Sequence, residues 1–275
     1  IPLIKGTHVS RTTESIIDDA RQLKSNDVKE LVLISQDTTD YGHDLGIKNG
    51  LVYLLEELVT AVPNIPWIRI MYAYPGYVTD ELIETMTRHP QILPYLDMPL
   101  QHGNRHTLRR MKRPANLDWV HGTIQKLRTA MPKISIRSTF IVGYPGETEE
   151  EFQTLLDFID SIRFDRVGAF TFSFEPGTAS EPLGDPIPKQ VKDERLGRLM
   201  EMQELISLQR NYEFVDRSLD VLIEGVGDGL SIGRSYRDAP EIDGVVIVED
   251  ELEVGEIKTV RITGAMAHDL TGISI

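Results

Sequence analysis

Polar side chains that could bind a ligand lie at the ends of several predicted strands, and one lies within a strand. Such groups supply the hydrogen bonds and charges that orient a small molecule in its site. The carboxyl ends of the strands in a parallel α/β fold meet at one face, so we expect these side chains to ring one mouth of a barrel. They are Gln36 and Asp37; Tyr72 and Tyr74; Gln101 and His102; Arg137; and Ser173 and Glu175.

Each of these candidates also has a purely structural interpretation. The alternatives are a hydrogen-bonded histidine at His102, a turn opener at Gln36-Asp37, an internal pair of Arg137 with Asp97, and simple packing of the two tyrosines. The sequence shows no Ser-His-Asp arrangement, no H-E-x-x-H and no metal-ligand spacing of His and Cys. It therefore identifies neither a catalytic residue nor a metal ligand.

The stretch from Arg137 to Thr148 predicts a strand, a glycine turn and a capped helix in direct succession. Apolar and β-branched residues run to Val142, Gly143 and Gly146 frame the turn, and Thr148 opens a T-x-x-E capping box. The turn lacks the lysine of a phosphate-binding loop, and four glutamates crowd the helix start. We therefore expect a ligand here to touch the main chain rather than to present a phosphate.

The elements that position these residues indicate an α/β fold. Predicted strands start near residues 31, 67, 95, 134 and 166, with helical patterns between them, as in a barrel or half-barrel of βα units. A Pro/Gly-rich link and a long helix then lead to residue 210. From 211 to 275, short alternating runs separated by turns predict a small all-β barrel of OB-like size.

Charge and composition limit the partners and the cellular location that the sequence allows. The 275 residues carry a net charge of −14, and residues 211–275 hold 14 acidic and five basic side chains, a net of −9. That surface suits a basic partner better than a nucleic-acid backbone, although a merely solubilising role fits equally well. There is no cysteine, no run of apolar residues long enough for a membrane span and no export leader. We expect a soluble, cytoplasmic protein.

Five segments closely resemble one family, the radical-SAM methylthiotransferases that modify an aspartate of small-subunit ribosomal protein twelve. The resemblance runs from Ile1 to Ile275, and the last of the segments separates this family from its tRNA-modifying relatives. The segments are Ser35–Thr38, Leu93–His102, Met111–Pro114, Arg137–Glu149 and Gly233–Gly244.

The resemblance implies a partial (β/α)6 TIM-like radical-SAM barrel followed by a TRAM barrel. It implies S-adenosylmethionine as radical source and methyl donor, and two [4Fe-4S] clusters. In the family, a loop of three cluster-binding cysteines directly precedes the sequence that stands here as Ile1–Gly6. We therefore expect a fragment that begins after these ligands and that lacks an amino-terminal domain with the second cluster, so that it is inactive alone.

The same resemblance assigns the candidate cofactor contacts. Gln36 and Asp37 replace the segment that receives the methionine amino group, and Gln101 and His102 lie where ribose or carboxylate contacts are made. The main chain of Ile141 to Gly143 takes the adenine position, although Thr139 replaces the first glycine of the family's G-x-I-x-G pattern. Arg137 is included as a further cofactor contact.

The predicted partner is a basic ribosomal protein, which would bind the acidic residues Glu249, Asp250, Glu251 and Glu253. Two other classes stay open. A tRNA adenosine methylthiotransferase would share the barrel motifs and favour a basic TRAM domain, and a fragment without cluster ligands could act as a cofactor-free binding module. The sequence does not indicate an oligomeric state.

Overall fold

The computed structural model of the protein describes residues 9–178 and 180–275. The predicted cluster-proximal segment Ile1–Gly6 lies outside these residues. The described chain divides into two compact units, residues 9–97 with 126–134 and residues 98–125 with 135–275. Each unit is described by itself.

The first unit is a parallel sheet with helices between its strands. Strand order is β1–β2–β3, and all pairs are parallel. Its core is the apolar face of the sheet and of helix α2, including Leu55, Leu58 and Ile68. In chain order the elements are α1 (Thr13–Lys24), β1 (Glu30–Leu33), α2 (Gly50–Ala61), β2 (Trp67–Ile70), α3 (Asp80–Arg88) and β3 (Ile92–Asp97).

The second unit begins with α4 (Arg105–Arg110) and contains a parallel pair of strands, β4 and β5. The Thr148–Glu151 capping box forms as predicted, because the Thr148 hydroxyl accepts from Glu151 N–H while the Glu151 carboxylate accepts from Thr148 N–H. Helix α5 (Leu117–Ala130) is divided between the two units. The further elements are β4 (Ser135–Val142), α6 (Glu149–Ile162), β5 (Arg166–Thr171) and α7 (Lys189–Tyr212).

The last part of the second unit is a closed five-stranded barrel in the order β10–β8–β7–β6–β9, which confirms the predicted all-β barrel. Its core consists of inward-facing residues such as Val221, Val246, Val260 and Ile262, none of which is exposed. The strands are β6 (Ser218–Gly227), β7 (Leu230–Ser235), β8 (Val246–Val248), β9 (Ile257–Ala265) and β10 (Leu270–Ser274).

Helix α7 joins the two parts of the second unit through buried polar groups. Leu205 is exposed, whereas Lys192, Arg195, Gln203 and Asn211 are buried. The helix therefore docks by hydrogen bonds and ion pairs as well as by apolar packing, and each buried polar group needs its own partner.

Asn211 is the central group of this junction. It is fully buried, and its amide nitrogen donates to the carbonyls of Met266 (2.8 Å) and Ala267 (3.3 Å) in the β-barrel. Its side-chain oxygen accepts from the guanidinium groups of Arg237 (2.9 Å) and Arg166 (3.3 Å). One side chain thus connects the linking helix, strand β5 and the β-barrel.

The segment Gly233–Gly244 completes the junction. Asp238 accepts from Arg166 at 2.6 Å, with both side chains buried, and the Arg237 guanidinium lies 3.9 Å from the centre of the Phe214 ring. Burial and the neighbouring charge of Arg166 lower the pKa of Arg237. The most distinctive motif in the sequence therefore holds the β-barrel against strands β4 and β5.

No helix among the described residues is long and apolar enough to cross a membrane.

Candidate functional site

In the first unit, the predicted residues Gln36 and Asp37 follow β1, beside the turn after β2. Gln36 is exposed and Asp37 is half-buried. The Asp37 carboxylate accepts from the Thr39 hydroxyl at 2.5 Å and from the Thr39 N–H at 3.0 Å. Burial raises the pKa of Asp37, and these hydrogen bonds oppose that shift.

The two turns of this unit are tied together. Thr38 N–H donates to the Tyr72 carbonyl at 3.0 Å, and Tyr74 N–H donates to the Thr39 hydroxyl at 3.0 Å. Tyr72 is exposed and adopts a left-handed backbone (φ 55°), which is uncommon for a bulky residue. Tyr74 packs edge-on against Tyr77. The structure therefore brings Asp37, Tyr72 and Tyr74 together as predicted from the ends of β1 and β2.

In the second unit, Gln101 is held in a strained conformation against β4. Its φ is 73°, in the left-handed region that costs a non-glycine residue about 1–3 kcal/mol. Its N–H donates to the Thr139 carbonyl and its own carbonyl accepts from Ile141 N–H, both at 2.8 Å. The two hydrogen bonds fix Gln101 beside Ile141, so two residues that were each predicted to contact the cofactor are adjacent.

His102 lies behind this edge, fully buried. Its Nδ1 accepts from the Asn104 N–H at 2.9 Å, which assigns the proton to Nε2 in a neutral ring. Nε2 lies 3.3 Å from the Glu147 carboxylate, without the alignment of a good hydrogen bond. His102 is thus buried beside Glu147 and does not line the cavity described below.

Glu147 is the buried centre of this network. Its carboxylate accepts from the Gly143 N–H at 3.0 and 3.1 Å and from the Arg195 guanidinium at 2.8 Å. The Glu147 side chain is fully buried and that of Arg195 is 7% exposed. One carboxylate therefore connects the turn after β4 with the first turns of α7, and it also lies against His102.

Gly143 also needs to be a glycine. Its φ is 73°, and a Cβ there would lie 2.4 Å from Lys192 Cγ. Lys192 itself donates to the Phe172 carbonyl at 3.0 Å and to Asp185. The linking helix α7 thus braces the ends of both β4 and β5.

A cavity of about 490 Å³ opens beside this edge, within the second unit. That volume falls in the range of about 300–1,000 Å³ typical of small-molecule sites. Hydrogen-bonding and aromatic side chains share its wall. The lining residues that matter most are Gln101, Arg113, Thr139, Ile141, Tyr144, Phe172 and Ser173.

Arg137 lies toward the other end of β4, on the same face of the strand as Thr139 and Ile141. Its guanidinium donates to the Thr139 hydroxyl at 3.1 Å and lies 3.3 Å from the Asp243 carboxylate of the β-barrel. The sequence did not predict this pair with Asp243. It places Arg137 between the predicted ligand edge and the Gly233–Gly244 segment.

The predicted partner-binding acids differ in exposure. Glu249, Glu251 and Glu253 are exposed. Asp250 is half-buried, and its carboxylate accepts from both the N–H (3.0 Å) and the hydroxyl (2.8 Å) of Ser274, which lowers its pKa. Three of the four acids therefore face solvent, and Asp250 also ties down the end of β10.

Several functional neighbours were not predicted. Glu147 was interpreted only as one of the charges at a helix start, and Lys192 and Arg195 only as part of a helix. Arg195 lies 48 positions after Glu147 in the chain, so local patterns do not indicate their contact. The sequence feature that could have indicated Glu147 is the Gly-Tyr-Pro-Gly-Glu turn within the stretch from Arg137 to Thr148.

The metal-binding potential of the described residues is limited. They contain no group of three or more His, Cys, Asp and Glu side chains arranged to hold a metal ion. The chain has no cysteine, so it supplies no thiolate for an iron–sulfur cluster.

Comparison with known protein families gives two matches. The Radical SAM superfamily matches residues 3–159, and the TRAM domain matches residues 215–275. The first covers the strands β1–β4 with most of helix α6, and the second covers the closed β-barrel.

Curated relatives match nearly the whole chain. The ribosomal protein uS12 methylthiotransferase RimO of a Roseiflexus species (strain RS-1) is 49% identical over 99% of this chain and 59% of that protein. RimO of Chloroflexus aurantiacus is 50% identical over 99% of this chain and 61% of that protein. The chain thus spans about three fifths of the length of these relatives.

A solved structure shows the same fold. Coproporphyrinogen III oxidase (HemN) from Escherichia coli, a radical SAM enzyme, aligns with 73% of this chain and 48% of its own at a TM-score of 0.54 and 16% identity. With the superfamily match, this confirms the predicted radical-SAM barrel architecture.

Proposed function

The chain belongs to the radical SAM superfamily, and from this premise we propose that it is the barrel and TRAM portion of a methylthiotransferase. The proposed reaction adds a methylthio group to the β-carbon of an aspartate in ribosomal protein uS12. The observation that carries the proposal is the identity of 49–50% to relatives of that activity over 99% of the chain. The identity extends through both the barrel and the TRAM domain. An enzyme that used the same barrel for another reaction would not need such similarity in both domains.

The cavity of the second unit fits S-adenosylmethionine in size and in donor set. When bound, this cofactor supplies the radical that removes a hydrogen atom and the methyl group that is transferred. Gln101 would hydrogen-bond its polar end, and the main chain of Ile141 would line the adenine, beside the turn that Gly143 opens. Tyr144 and Phe172, which stack edge-on at 5.2 Å, would exclude water.

The other predicted contacts take supporting roles in the proposal. Gln36 and Asp37 keep the role that the family resemblance implies, contact with the amino group of the cofactor, for which the partly buried carboxylate of Asp37 is suited. His102 would act through Glu147 by holding the loop after Gln101, and Arg137 through the Thr139 hydroxyl. We propose that the whole protein carries two [4Fe-4S] clusters whose ligands lie outside this chain.

The TRAM barrel would bind uS12, a protein of the cytoplasmic ribosome that we propose presents basic residues. Two of its five basic side chains, Arg234 and Arg237, are buried, and so are the acidic side chains of Asp238 and Asp243, so the solvent-facing charge keeps the net of −9. Of its aromatic residues near the start, Phe214 is buried and Tyr212 is exposed. Such a surface offers few cations or stacking partners to RNA and attracts a basic protein instead.

Charge reversal tests the docking. The triple variant Glu249→Lys, Glu251→Lys and Glu253→Lys should slow association with uS12, most strongly at low salt. Asp250 is left intact because it holds Ser274. The control reverses three exposed acids of α7 by the same total charge, namely Glu194, Glu201 and Glu204. Equal slowing by both sets would overturn the assigned surface.

The activity is tested in a chimaera in which residues 1–275 replace the matching part of the Roseiflexus relative. The purified, cluster-reconstituted chimaera is incubated with uS12 and, separately, with tRNA. We expect methylthiolated uS12 and unmodified tRNA. Methylthiolated adenosine in tRNA with unmodified uS12 would replace the proposed substrate by the tRNA alternative.

A further inference from the structure

One charged side chain lines the cavity of the second unit. Of the described residues that form its wall, Arg113 is cationic and the others are apolar or polar without charge. The protein as a whole is strongly acidic, with a net charge of −14. A lone cation in an otherwise uncharged wall favours an anionic group on the ligand.

Arg113 is exposed, and no carboxylate of the described residues, 9–178 and 180–275, lies within ion-pair distance of its guanidinium. Three carboxylates of the turn after β4 and of the first turn of α6 have other partners. Glu147 and Glu149 pair with arginines of helix α7, and Glu151 pairs with Arg110 through both oxygens.

The backbone that carries Arg113 is fixed. Its N–H donates to the Leu108 carbonyl at 2.8 Å, Lys112 before it is left-handed (φ 53°), and Pro114 follows it. The Tyr144 hydroxyl donates to the Arg110 carbonyl at 3.1 Å and ties this segment to the turn after β4. The guanidinium is therefore presented at the cavity by a rigid loop while its own donors stay available.

We propose that Arg113 binds the side-chain carboxylate of the aspartate that is to be modified. This inference rests on the proposed function for the identity of the substrate. A guanidinium and a carboxylate form two parallel hydrogen bonds, which fix the plane of the carboxylate. Because the β-carbon of aspartate is bonded directly to that carboxylate, the same two hydrogen bonds position the reacting atom within one bond.

The cofactor offers a second carboxylate, on its methionyl group, which shares this chemistry. The exposure of Arg113 at the rim favours the carboxylate that arrives from solvent with the substrate. Gln101, which also lines the cavity, is half-buried and hydrogen-bonded to β4. The two sources are separated by titrating each ligand alone.

The test uses residues 1–275 and two small probes, N-acetyl-L-aspartate N-methylamide and its asparagine counterpart, in ligand-observed NMR titrations. We expect the aspartate probe to bind at least about tenfold more tightly than the asparagine probe. Arg113→Gln should remove that preference, and Arg113→Lys should retain part of it because the charge stays and the fork is lost.

The matched control is Arg109→Gln, which removes the same charge from an exposed arginine four residues away that does not line the cavity. It should keep the full preference. The inference is overturned if wild-type protein does not discriminate between the probes, or if Arg113→Gln still does. It is also overturned if Arg113→Gln weakens binding of S-adenosylmethionine and leaves the aspartate preference unchanged.

The probes contain no uS12 sequence, so the effect of Arg113 on their binding is measured independently of whether uS12 is the substrate. Failure of the proposed function appears separately, as unmodified uS12 in the chimaera assay. A chimaera with Arg113→Gln should modify uS12 with a raised KM for uS12 and an unchanged KM for S-adenosylmethionine.

Discussion

Replacing Glu147 by glutamine should destabilise the second unit far more than an ordinary surface substitution does. Glutamine keeps the shape and can still accept from Gly143 N–H, but its NH2 group then faces either the Arg195 guanidinium or the His102 Nε2–H. Two hydrogen-bond donors, the glutamine NH2 and an N–H of Arg195 or His102, then face each other. Arg195, which is 7% exposed, also loses its buried counter-charge. Breaking one partner of a buried pair in this way costs about 3–5 kcal/mol.

The matched control is Glu149→Gln, the same chemical change two residues away. Glu149 is 54% exposed and pairs with Arg198 at 2.6 Å and with Arg195 at 3.5 Å. A solvent-exposed pair of this kind contributes about 0–1 kcal/mol. Both variants remove one negative charge, so the difference between their unfolding free energies reports the effect of burial.

The assay is native-state hydrogen exchange of the amides of α6, such as Phe152 and Leu155, which are buried in the second unit. It reports the opening free energy of that unit separately from the first. Combining Glu147→Gln with Arg195→Met should recover part of the loss, because no buried charge remains unpaired. The reasoning is refuted if Glu147→Gln proves as mild as Glu149→Gln, or if the double variant is the least stable of all.

Three further outcomes follow from the same contacts. Gln101→Gly should leave the unfolding free energy unchanged within about 1 kcal/mol, because strain at φ 73° is relieved, yet weaken S-adenosylmethionine binding to the chimaera by calorimetry. Asn211→Ala should cost about 1–3 kcal/mol or more by the same hydrogen-exchange assay, since buried carbonyls and guanidinium groups lose partners. Arg110 hydrogen-bonds Glu151 and lowers its pKa, so the stability that this pair adds is present above about pH 4.5 and is lost as the pH falls below it. The difference in unfolding free energy between wild type and Glu151→Gln, measured by urea titration, should therefore shrink from pH 6 to pH 3.

The strand pattern was the part of the fold most open to prediction. Strands predicted near residues 31, 67, 134 and 166 start within one residue of those positions. The third was predicted too late, from Tyr95, and so left out Ile92, Leu93 and Pro94. Strand β3 begins at Ile92 and accommodates the proline by an irregularity in its pairing with β2, where the missing N–H does no harm.

Two elements were not predicted, and local composition explains why. Helix α4 is only six residues long, too short for an apolar period, although Asn104 caps its start. Strand β10 contains Gly272, which suggested no strand in the sequence. In the barrel a side chain there would meet Val260 at 2.5 Å, so the glycine allows a close approach of two strands.

The candidate site was predictable as a set of positions and not as a set of contacts. The sequence indicated Asp37 and Gln101 because each follows a predicted strand, and functional residues of parallel α/β folds lie at the carboxyl ends of the strands. The roles of His102 and Arg137 depend on Glu147 and Asp243, which lie 45 and 106 positions further along the chain. Such pairs are decided by packing, on which the spacing of residue types carries no information.

The most direct measurement of the proposed activity is the mass of uS12 from a bacterial strain that lacks its own enzyme and expresses the chimaera. We expect the mass of the peptide containing the target aspartate to rise by that of one methylthio group less the hydrogen atom that it replaces. The rise should disappear when that aspartate is replaced by alanine. Unmodified uS12, from cells in which the chimaera is folded and carries its clusters, would contradict the proposal.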